Sequence, residues 1–323
     1  MEDINVSVFD NTSVTTSSKN ATSPVMLSVI LIALSSVIII LNLFAIITLV
    51  TNLAKRHSMK NFHIVSLAMT DTIVGVSIIP LLDTYINSNE YFAYYDCLFR
   101  FMIFFASFVA SMLHILGICV ERVLLVCGGI TNNNKRCASI ATIIVSWIMA
   151  GLSVSVVFFY WGVPSDLEVC SLDGLFLNKL INVIEYFGIL FAVIQIPVLA
   201  CMAVLLISVV NHVRKLKNNG VRNHNGNDVR ICLTILVISS VFTICNSPLT
   251  IVFILEATWS NMTATRNVRG AALVFAGLNS ALDPVIYLFR IKEFRTSVIE
   301  ITKVFRTVCR SKVAPTVTDV QLA

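Results

Sequence analysis

Charged residues are scarce in this chain. Aspartate, glutamate, lysine and arginine together make up 13% of its 323 residues, whereas a soluble domain carries about 25%. Cysteines at metal-ligand spacing are lacking, and the scattered histidines form no His/Asp/Cys constellation that would indicate an enzyme. No internal duplication of the kind found in many transporters is visible. These absences count against a soluble protein, a zinc site, an intramembrane hydrolase and a transporter built from repeats.

Long apolar runs are what the sequence has instead. Hydrophobic residues make up 57% of the chain, and its mean hydropathy is +0.86. A helix of about 20 residues crosses a bilayer of about 30 Å. Seven runs reach that length, near residues 25–52, 61–82, 97–126, 138–160, 183–210, 229–255 and 268–289. We therefore predict an all-α membrane protein, a seven-transmembrane helix bundle. Its predicted parts are an extracellular N-terminus (1–24), the membrane domain (25–290) and a cytoplasmic amphipathic helix and tail (291–323).

The basic residues are unevenly divided between the two sides of this bundle. Of the 23 lysines and arginines, 18 follow the first, third, fifth and seventh runs, and 5 lie on the opposite side. Because positive residues concentrate in cytoplasmic loops, the N-terminus is predicted to lie outside and the C-terminus inside. The net charge of +5 thus indicates topology and not nucleic-acid binding. Four glycosylation sequons fall on the predicted outer side, at Asn5, Asn11, Asn20 and Asn261.

Cysteines and one amphipathic stretch mark the two membrane surfaces. Cys97 and Cys170 lie in outer segments, where an oxidising environment permits a disulfide. After the seventh run, apolar residues at spacings of three and four predict a short amphipathic helix 8 on the inner leaflet. These residues are Ile291, Phe294, Val298, Ile301 and Phe305. Cys309 follows them and is a predicted palmitoylation site.

Two polar side chains stand within the first two apolar runs. Asn42 needs a partner, and interhelical hydrogen bonds of this kind are worth about 0.6–2 kcal/mol. Asp71 lies near the predicted bilayer middle, where a carboxylate costs at least about 2.5–3.5 kcal/mol unless it faces the bundle interior. It is either a structural hydrogen-bonding group or part of an ion or proton site, and an intramembrane acid favours the second interpretation. His114 in the third run is predicted to pack and not to bind a ligand.

One short motif in each run resembles the rhodopsin-like family of G-protein-coupled receptors, over roughly residues 25–310. The matching residues, in order, are Asn42, S-L-A-M-T-D (66–71), Cys97, E-R-V (121–123), Trp147, Pro197, F-T-I-C-N-S-P (242–248) and N-S-A-L-D-P-V-I-Y (279–287). Single matches of this kind are weak. All of them together, at the family's separations, are a specific resemblance.

The resemblance implies a sodium-and-water pocket in the middle of the bundle. Hard cations favour oxygen ligands, and sodium would lie at Asp71 and Ser111. Asp283 adds a second acid, which leaves open whether one of the two carboxyl groups carries a proton instead. The full predicted ion pocket consists of Asn42, Asp71, Ser111, Asn279, Ser280 and Asp283.

The resemblance also implies an activation machinery at the cytoplasmic side. Arg122 would pair with its neighbour Glu121 and with an acid at the base of helix six, where Asp228 lies 20 residues before Pro248. An Arg122–Asp228 latch would open when helix six moves outward to admit a heterotrimeric G protein. The alternative is a solvated surface pair worth about 0–1 kcal/mol. The remaining predicted members of this set are Phe242, Pro248, Pro284 and Tyr287.

Four positions depart from patterns within the family. Asn246 replaces a helix-six tryptophan and Leu205 a helix-five tyrosine, which puts the usual activation in doubt. Phe104 stands where amine receptors carry an aspartate, so a biogenic amine would have no counter-ion. Gly277 stands where opsins carry the retinal lysine, which counts against a photoreceptor.

A ligand pocket is predicted at the outer half of the bundle. Outward-facing acids outnumber bases there, which favours a basic peptide over an anionic lipid. Phenylalanines at helical spacing are more often packing residues than ligand contacts, and only about half of the set is expected to touch a ligand. The predicted pocket consists of Phe101, Phe104, Phe105, Phe108, Tyr186, Gln195, Asn246 and Glu256.

The resemblance implies a multi-pass plasma-membrane receptor. It would bind an extracellular ligand, contact membrane lipid, and activate heterotrimeric G proteins, without enzymatic activity or an organic cofactor. One alternative is a non-signalling, scavenging receptor, suggested by Asn246 and Leu205. A second is an ion-coupled transporter, suggested by Asp71 and Asp283.

Overall fold

A computed structural model of the chain describes residues 24–56, 62–86, 94–127, 135–162, 170, 175–176, 179–219, 226–258, 266–290, 294–296, 298–300 and 302–303. Several predicted sites lie outside these residues: the four sequons at Asn5, Asn11, Asn20 and Asn261, and the predicted palmitoylation site Cys309. Asp228 lies on a helix, but its side chain is outside the described part.

The described residues form seven long helices, as the apolar runs predict. They are α1 (Pro24–Arg56), α2 (Phe62–Ile86), α3 (Tyr94–Val126), α4 (Lys135–Trp161), α5 (Leu180–Asn219), α6 (Gly226–Thr258) and α7 (Arg266–Arg290). Each contains a segment long and apolar enough to cross a membrane. The protein is therefore a multi-pass membrane protein.

Several helices continue beyond the apolar runs that predict them. The largest difference is α5, predicted near 183–210 and observed with 40 residues that continue into a basic stretch ending at Asn219. At a rise of about 1.5 Å per residue this helix is about twice as long as the bilayer core is thick. Apolar runs mark only the part of a helix within hydrocarbon, because polar residues continue a helix into headgroups and water without changing its backbone hydrogen bonds.

The helices pack as a closed bundle around α3. Each of the pairs α1–α2, α2–α3, α3–α4, α5–α6 and α6–α7 is in contact, and α1 also packs against α7. In their apolar segments, 72% of the α3 residues are buried, against 22% for both α1 and α4. Helix α3 is thus the axis of the bundle, whereas α1 and α4 present apolar side chains such as Ile40, Val156 and Phe159 outward.

A disulfide lies near one end of the bundle, and a buried phenylalanine ring lies near the other. Cys97, at the start of α3, is bonded to Cys170, and their Cα atoms lie 5.5 Å apart. The predicted disulfide is thus confirmed. Beyond α7, residues 294–296 and 298–300 are helical, in agreement with a short helix 8. Phe294 is buried there, with its ring 6.4 Å from that of Tyr287.

Candidate functional site

The carboxylate of Asp71 joins three helices in the middle of the bundle. Its Oδ1 accepts hydrogen bonds from the hydroxyl of Ser111 on α3, at 2.9 Å, and from that of Ser280 on α7, at 2.8 Å. All three residues are buried, and Asp71 is 0% exposed. Hydrogen bonds to a charged group in a low-dielectric interior are stronger than those in water, so this carboxylate links α2 to α3 and α7.

Asn42 attaches α1 to the same junction. Its Nδ2 donates to the carbonyl of Ile38, at 3.0 Å, and to the carbonyl of Ser280, at 2.8 Å. Ser280 therefore binds Asp71 through its side chain and Asn42 through its backbone. Together with Ser111, these residues join four helices, α1, α2, α3 and α7.

Asp283 places a second acid beside the first. It is also 0% exposed, and the two carboxyl groups lie close enough to share a hydrogen bond once one of them is protonated. Among the described residues, neither forms an ion pair with a lysine, arginine or histidine. Two uncompensated buried carboxylates would cost several kcal/mol each, so the site favours a proton or a cation.

The oxygen atoms around these acids fit a hard cation. Asp71 Oδ2, both carboxylate oxygens of Asp283 and Oδ1 of Asn279 are buried without a hydrogen-bond partner among the described side chains. Oxygen donors of this kind suit sodium. The described residues contain no group of three His, Cys, Asp or Glu side chains that would hold a transition metal. A cation here would thus rely on hydroxyl and amide oxygens as well as on the acids.

Near the C-terminal end of α3, the observed contacts differ from the predicted pairing of Glu121 with Arg122. Glu121 Oε2 instead accepts a hydrogen bond from the hydroxyl of Ser139 on α4, at 3.1 Å, and lies 3.3 Å from Nε2 of His63 on α2. Within the described residues Arg122 forms no ion pair, and its buried Nε has no hydrogen-bond partner. Successive residues on a helix point in different directions, and the Glu121 side chain points toward α2 and α4. The latch to Asp228 stays a prediction.

Helices α6 and α7 carry the remaining predicted activation residues. Phe242 is fully buried, and Asn246 donates from Nδ2 to the Phe242 carbonyl at 2.9 Å. Asn246 Oδ1 is buried without a partner among the described residues. Pro248 lies inside α6 and Pro284 inside α7, and proline removes a backbone hydrogen bond in a helix interior. Each proline is therefore a point at which its helix bends most readily.

The predicted phenylalanines of the ligand pocket belong to a packed aromatic cluster. Its rings contact one another across α3, α4, α5, α6 and the short segment 175–176, with centroids between 4.4 Å and 6.2 Å apart. The cluster consists of Phe104, Phe105, Phe108, Phe158, Phe176, Phe187, Phe191 and Phe253. Phe101 is buried on the same helix α3 at 7% exposure. These rings form much of the core at this end of the bundle, and which of them touch a ligand stays a prediction.

The polar residues of the predicted pocket have specific partners. Tyr186 donates its hydroxyl to the carbonyl of Ser153 on α4, at 3.1 Å. Glu256, near the C-terminal end of α6, accepts hydrogen bonds from Nε of Arg269 on α7 at both carboxylate oxygens, at 2.9 and 3.2 Å. The Glu256 side chain is 4% exposed and that of Arg269 is 26% exposed. Gln195 is buried on α5.

Sequence reasoning missed His63, Ser139 and Arg269. All three lie near the ends of apolar runs, where a polar residue is ordinarily solvated, and the sequence alone carried no signal for their partners. His114 behaves as predicted and packs: its Nδ1 donates to the Ala110 carbonyl at 2.6 Å, and its Nε2 lies 2.7 Å from the Ser66 hydroxyl. Since the carbonyl can only accept, Nδ1 carries the proton and Nε2 accepts from Ser66 in the neutral ring.

Gly277 on α7 lies against side chains of α1. A Cβ atom at this position would come within 2.9 Å of Leu34 Cδ2 on α1. A side chain at this position would therefore require Leu34 to move, and the prediction against a photoreceptor stays a prediction.

Comparison with known proteins gives one family and several relatives. Residues 41–287 match the family described as 7 transmembrane receptor (rhodopsin family). The chain is 25% identical over 287 residues to sphingosine 1-phosphate receptor 1 of Danio rerio, with 84% of this chain and 77% of that one covered. It is 25% identical over 296 residues to melatonin receptor type 1A of Mus musculus, covering 88% and 82%. It is 24% identical over 258 residues to adenosine receptor A3 of Ovis aries, covering 75% and 78%.

Proposed function

The chain belongs to the rhodopsin family of seven-transmembrane receptors, and we propose that it binds an extracellular ligand and promotes nucleotide exchange on a heterotrimeric G protein. It is a receptor and not an enzyme. We also propose the plasma membrane as its location, with the N-terminus outside. The uneven distribution of lysine and arginine supports that orientation.

The observation that carries this proposal is the hydrogen-bonded junction at Asp71. It joins α2, α3 and α7 through Ser111 and Ser280, and α3 extends from this junction to Arg122 at its cytoplasmic end. A change of charge at Asp71 would alter the contacts among all three helices at once. This arrangement supports communication between the outer half of the bundle and the cytoplasmic surface.

We propose that sodium occupies the junction in the resting state. Asp71 and Ser111 would hold it, with Asp283 and Asn279 supplying further oxygens. When bound, the cation would neutralise part of the buried negative charge. The unpartnered oxygens of these residues support the fit.

For the ligand, the contacts at the outer end weaken the argument for a basic peptide. Two of the acids counted for it are already paired: Glu256 with Arg269, and Asp96 with Arg100 at 2.8 Å. The relatives are named for sphingosine 1-phosphate, melatonin and adenosine, which are small organic molecules. We therefore propose a small, non-cationic organic ligand held near the aromatic cluster. The peptide remains a prediction that no observation confirms.

Nucleotide exchange on a panel of purified G proteins tests the proposed signalling function. Receptor reconstituted in vesicles is expected to raise exchange on at least one G protein without added ligand. Arg122→Ala should abolish that exchange, whereas Asp228→Ala should raise it if the latch exists. Absence of exchange by every form, at normal surface expression, would contradict the proposal.

Such a result would favour the non-signalling receptor, for which Asn246 and the fully buried Leu205 are the specific observations. Uptake of bound ligand without exchange would identify that function. Sodium flux across vesicles holding the purified protein would instead identify an ion-coupled transporter.

A further inference from the structure

Three helices converge on the carboxylate of Glu121. Glu121 lies on α3, its Oε2 accepts a hydrogen bond from the Ser139 hydroxyl of α4, and the His63 ring of α2 lies within ion-pair distance. His63 and Glu121 side chains are 7% and 14% exposed. The imidazole lies outside hydrogen-bond geometry, so its contact with the acid depends on protonation. The Ser139 hydroxyl supplies the directional bond.

A glycine one helical turn away permits this convergence. Gly117 and Glu121 are four residues apart and therefore share one face of α3. A Cβ atom at Gly117 would lie 2.6 Å from Thr142 Cγ2 of α4 and 3.7 Å from Cε1 of His63. Thr142 and Ser139 are three residues apart and share a face of α4. The close approach of α4 to α3 at Gly117 thus brings Ser139 within reach of Glu121.

The convergence separates two residues that the sequence predicts to be paired. Adjacent helical positions point about 100° apart, so a Glu121–Arg122 contact requires both side chains to bend toward each other. Glu121 can turn toward Arg122 only by giving up the hydrogen bond from Ser139 and the contact with the His63 ring. Arg122 is then left without an acidic partner among the described side chains, and its Nε is buried.

We propose that Ser139 and His63 are positioning residues for G-protein coupling. They hold Glu121 against α2 and α4, so that Arg122 is already free of its neighbouring acid in the unliganded receptor. Signalling would then start from a state in which one restraint on Arg122 is absent. This inference rests on the proposed G-protein coupling, but the contact itself does not.

Basal nucleotide exchange with a set of combined variants tests the proposal. The double variant Ser139→Ala, His63→Ala should lower exchange by about two- to five-fold, the effect of losing one weak polar contact to Glu121. Adding Glu121→Gln to it should restore exchange to the level of Glu121→Gln alone, because the freed acid causes the loss. If the triple variant stays as low as the double variant, the effect is structural and the proposal is overturned. An unaltered double variant would overturn it as well.

Two control variants in the same exchange assay show whether the effect is specific to the Ser139 hydroxyl. Ser153→Ala removes a hydroxyl on α4 that bonds only the Ala150 carbonyl of its own helix, and it should leave exchange at the native level. Ser139→Thr, which retains the hydroxyl, should largely rescue the loss caused by Ser139→Ala.

A second kind of measurement, thermal stability, tests the contact without a G protein. Melting temperatures of Ser139→Ala, Glu121→Gln and their combination form a double-mutant cycle in detergent. A combined loss smaller than the sum of the single losses would support the contact. Strictly additive losses would overturn it. If no receptor form promotes exchange but the cycle shows coupling, then the proposed G-protein function has failed while the contact stands.

Discussion

The Ser280 hydroxyl donates to Asp71 at 2.8 Å while the Ser280 backbone carbonyl accepts from Asn42, also at 2.8 Å. One residue of α7 is therefore shared between α1 and α2. A movement of α7 near Ser280 would strain both bonds, so this residue connects the proposed sodium site to the packing of α1 against α7.

Removing the Asp71 charge should eliminate the response of stability to sodium. Sodium that binds only the folded receptor raises its melting temperature as the sodium concentration increases. The native receptor should therefore melt higher in sodium chloride than in choline chloride at equal ionic strength. Asp71→Asn should melt at the same temperature in both. A sodium response that survives in Asp71→Asn would place the cation elsewhere.

Neutralising the second acid should stabilise the receptor when sodium is absent. Asp283→Asn removes one of two adjacent buried carboxyl groups and is expected to add about 1–3 kcal/mol to the free energy of unfolding. Thermal unfolding in choline chloride measures it. Asp96→Asn is the matched control, because its 53% exposed carboxylate pairs with Arg100 at the surface and should contribute about 0–1 kcal/mol. A destabilised Asp283→Asn receptor would contradict this account.

The sequence predicted the helices and the Asp71 junction for a simple physical reason. Apolar length indicates membrane helices. A buried acid in such a helix needs polar partners, and the family resemblance placed Ser111 and Ser280 among them. The partners of Glu121 and Glu256 were not predictable in this way. They depend on the rotation of α2, α4 and α7 about their axes, and residues near helix ends are not forced by burial to face any particular neighbour.

The ion pair between Glu256 and Arg269 should respond unequally to loss of its two members. Arg269→Ala leaves a carboxylate that is 4% exposed without this cation, and a buried polar group that loses a partner costs about 1–3 kcal/mol. Glu256→Gln instead leaves a guanidinium that is 26% exposed and can contact water. Melting temperatures should therefore fall further for Arg269→Ala than for Glu256→Gln. Equal losses would indicate that both charges are equally buried.

Loss of either disulfide cysteine should lower the amount of receptor at the cell surface. The bond between Cys97 and Cys170 closes a loop across 73 positions of sequence, and a disulfide of this kind contributes about 2–4 kcal/mol. Cys97→Ser and Cys170→Ser should be equally affected, and the double variant should be no worse than either. Cys137→Ser, which alters an exposed free cysteine, serves as the control. A double variant worse than both singles would argue against the bond.

Two helical glycines should respond in opposite directions to alanine. Alanine in a helix interior is favoured over glycine by about 0.8–1 kcal/mol. A Cβ atom added at Gly151 would have no other atom within 4 Å. Gly151→Ala should therefore raise the melting temperature or leave it near the native value. At Gly117 the added methyl would lie 2.6 Å from Thr142 Cγ2. Thr142 cannot rotate away without losing the 2.7 Å bond from its hydroxyl to the Ala138 carbonyl. Gly117→Ala should therefore push α4 away from α3 and lower the melting temperature. If Gly117→Ala raised the melting temperature as Gly151→Ala is expected to, α3 and α4 would not be in close contact at Gly117.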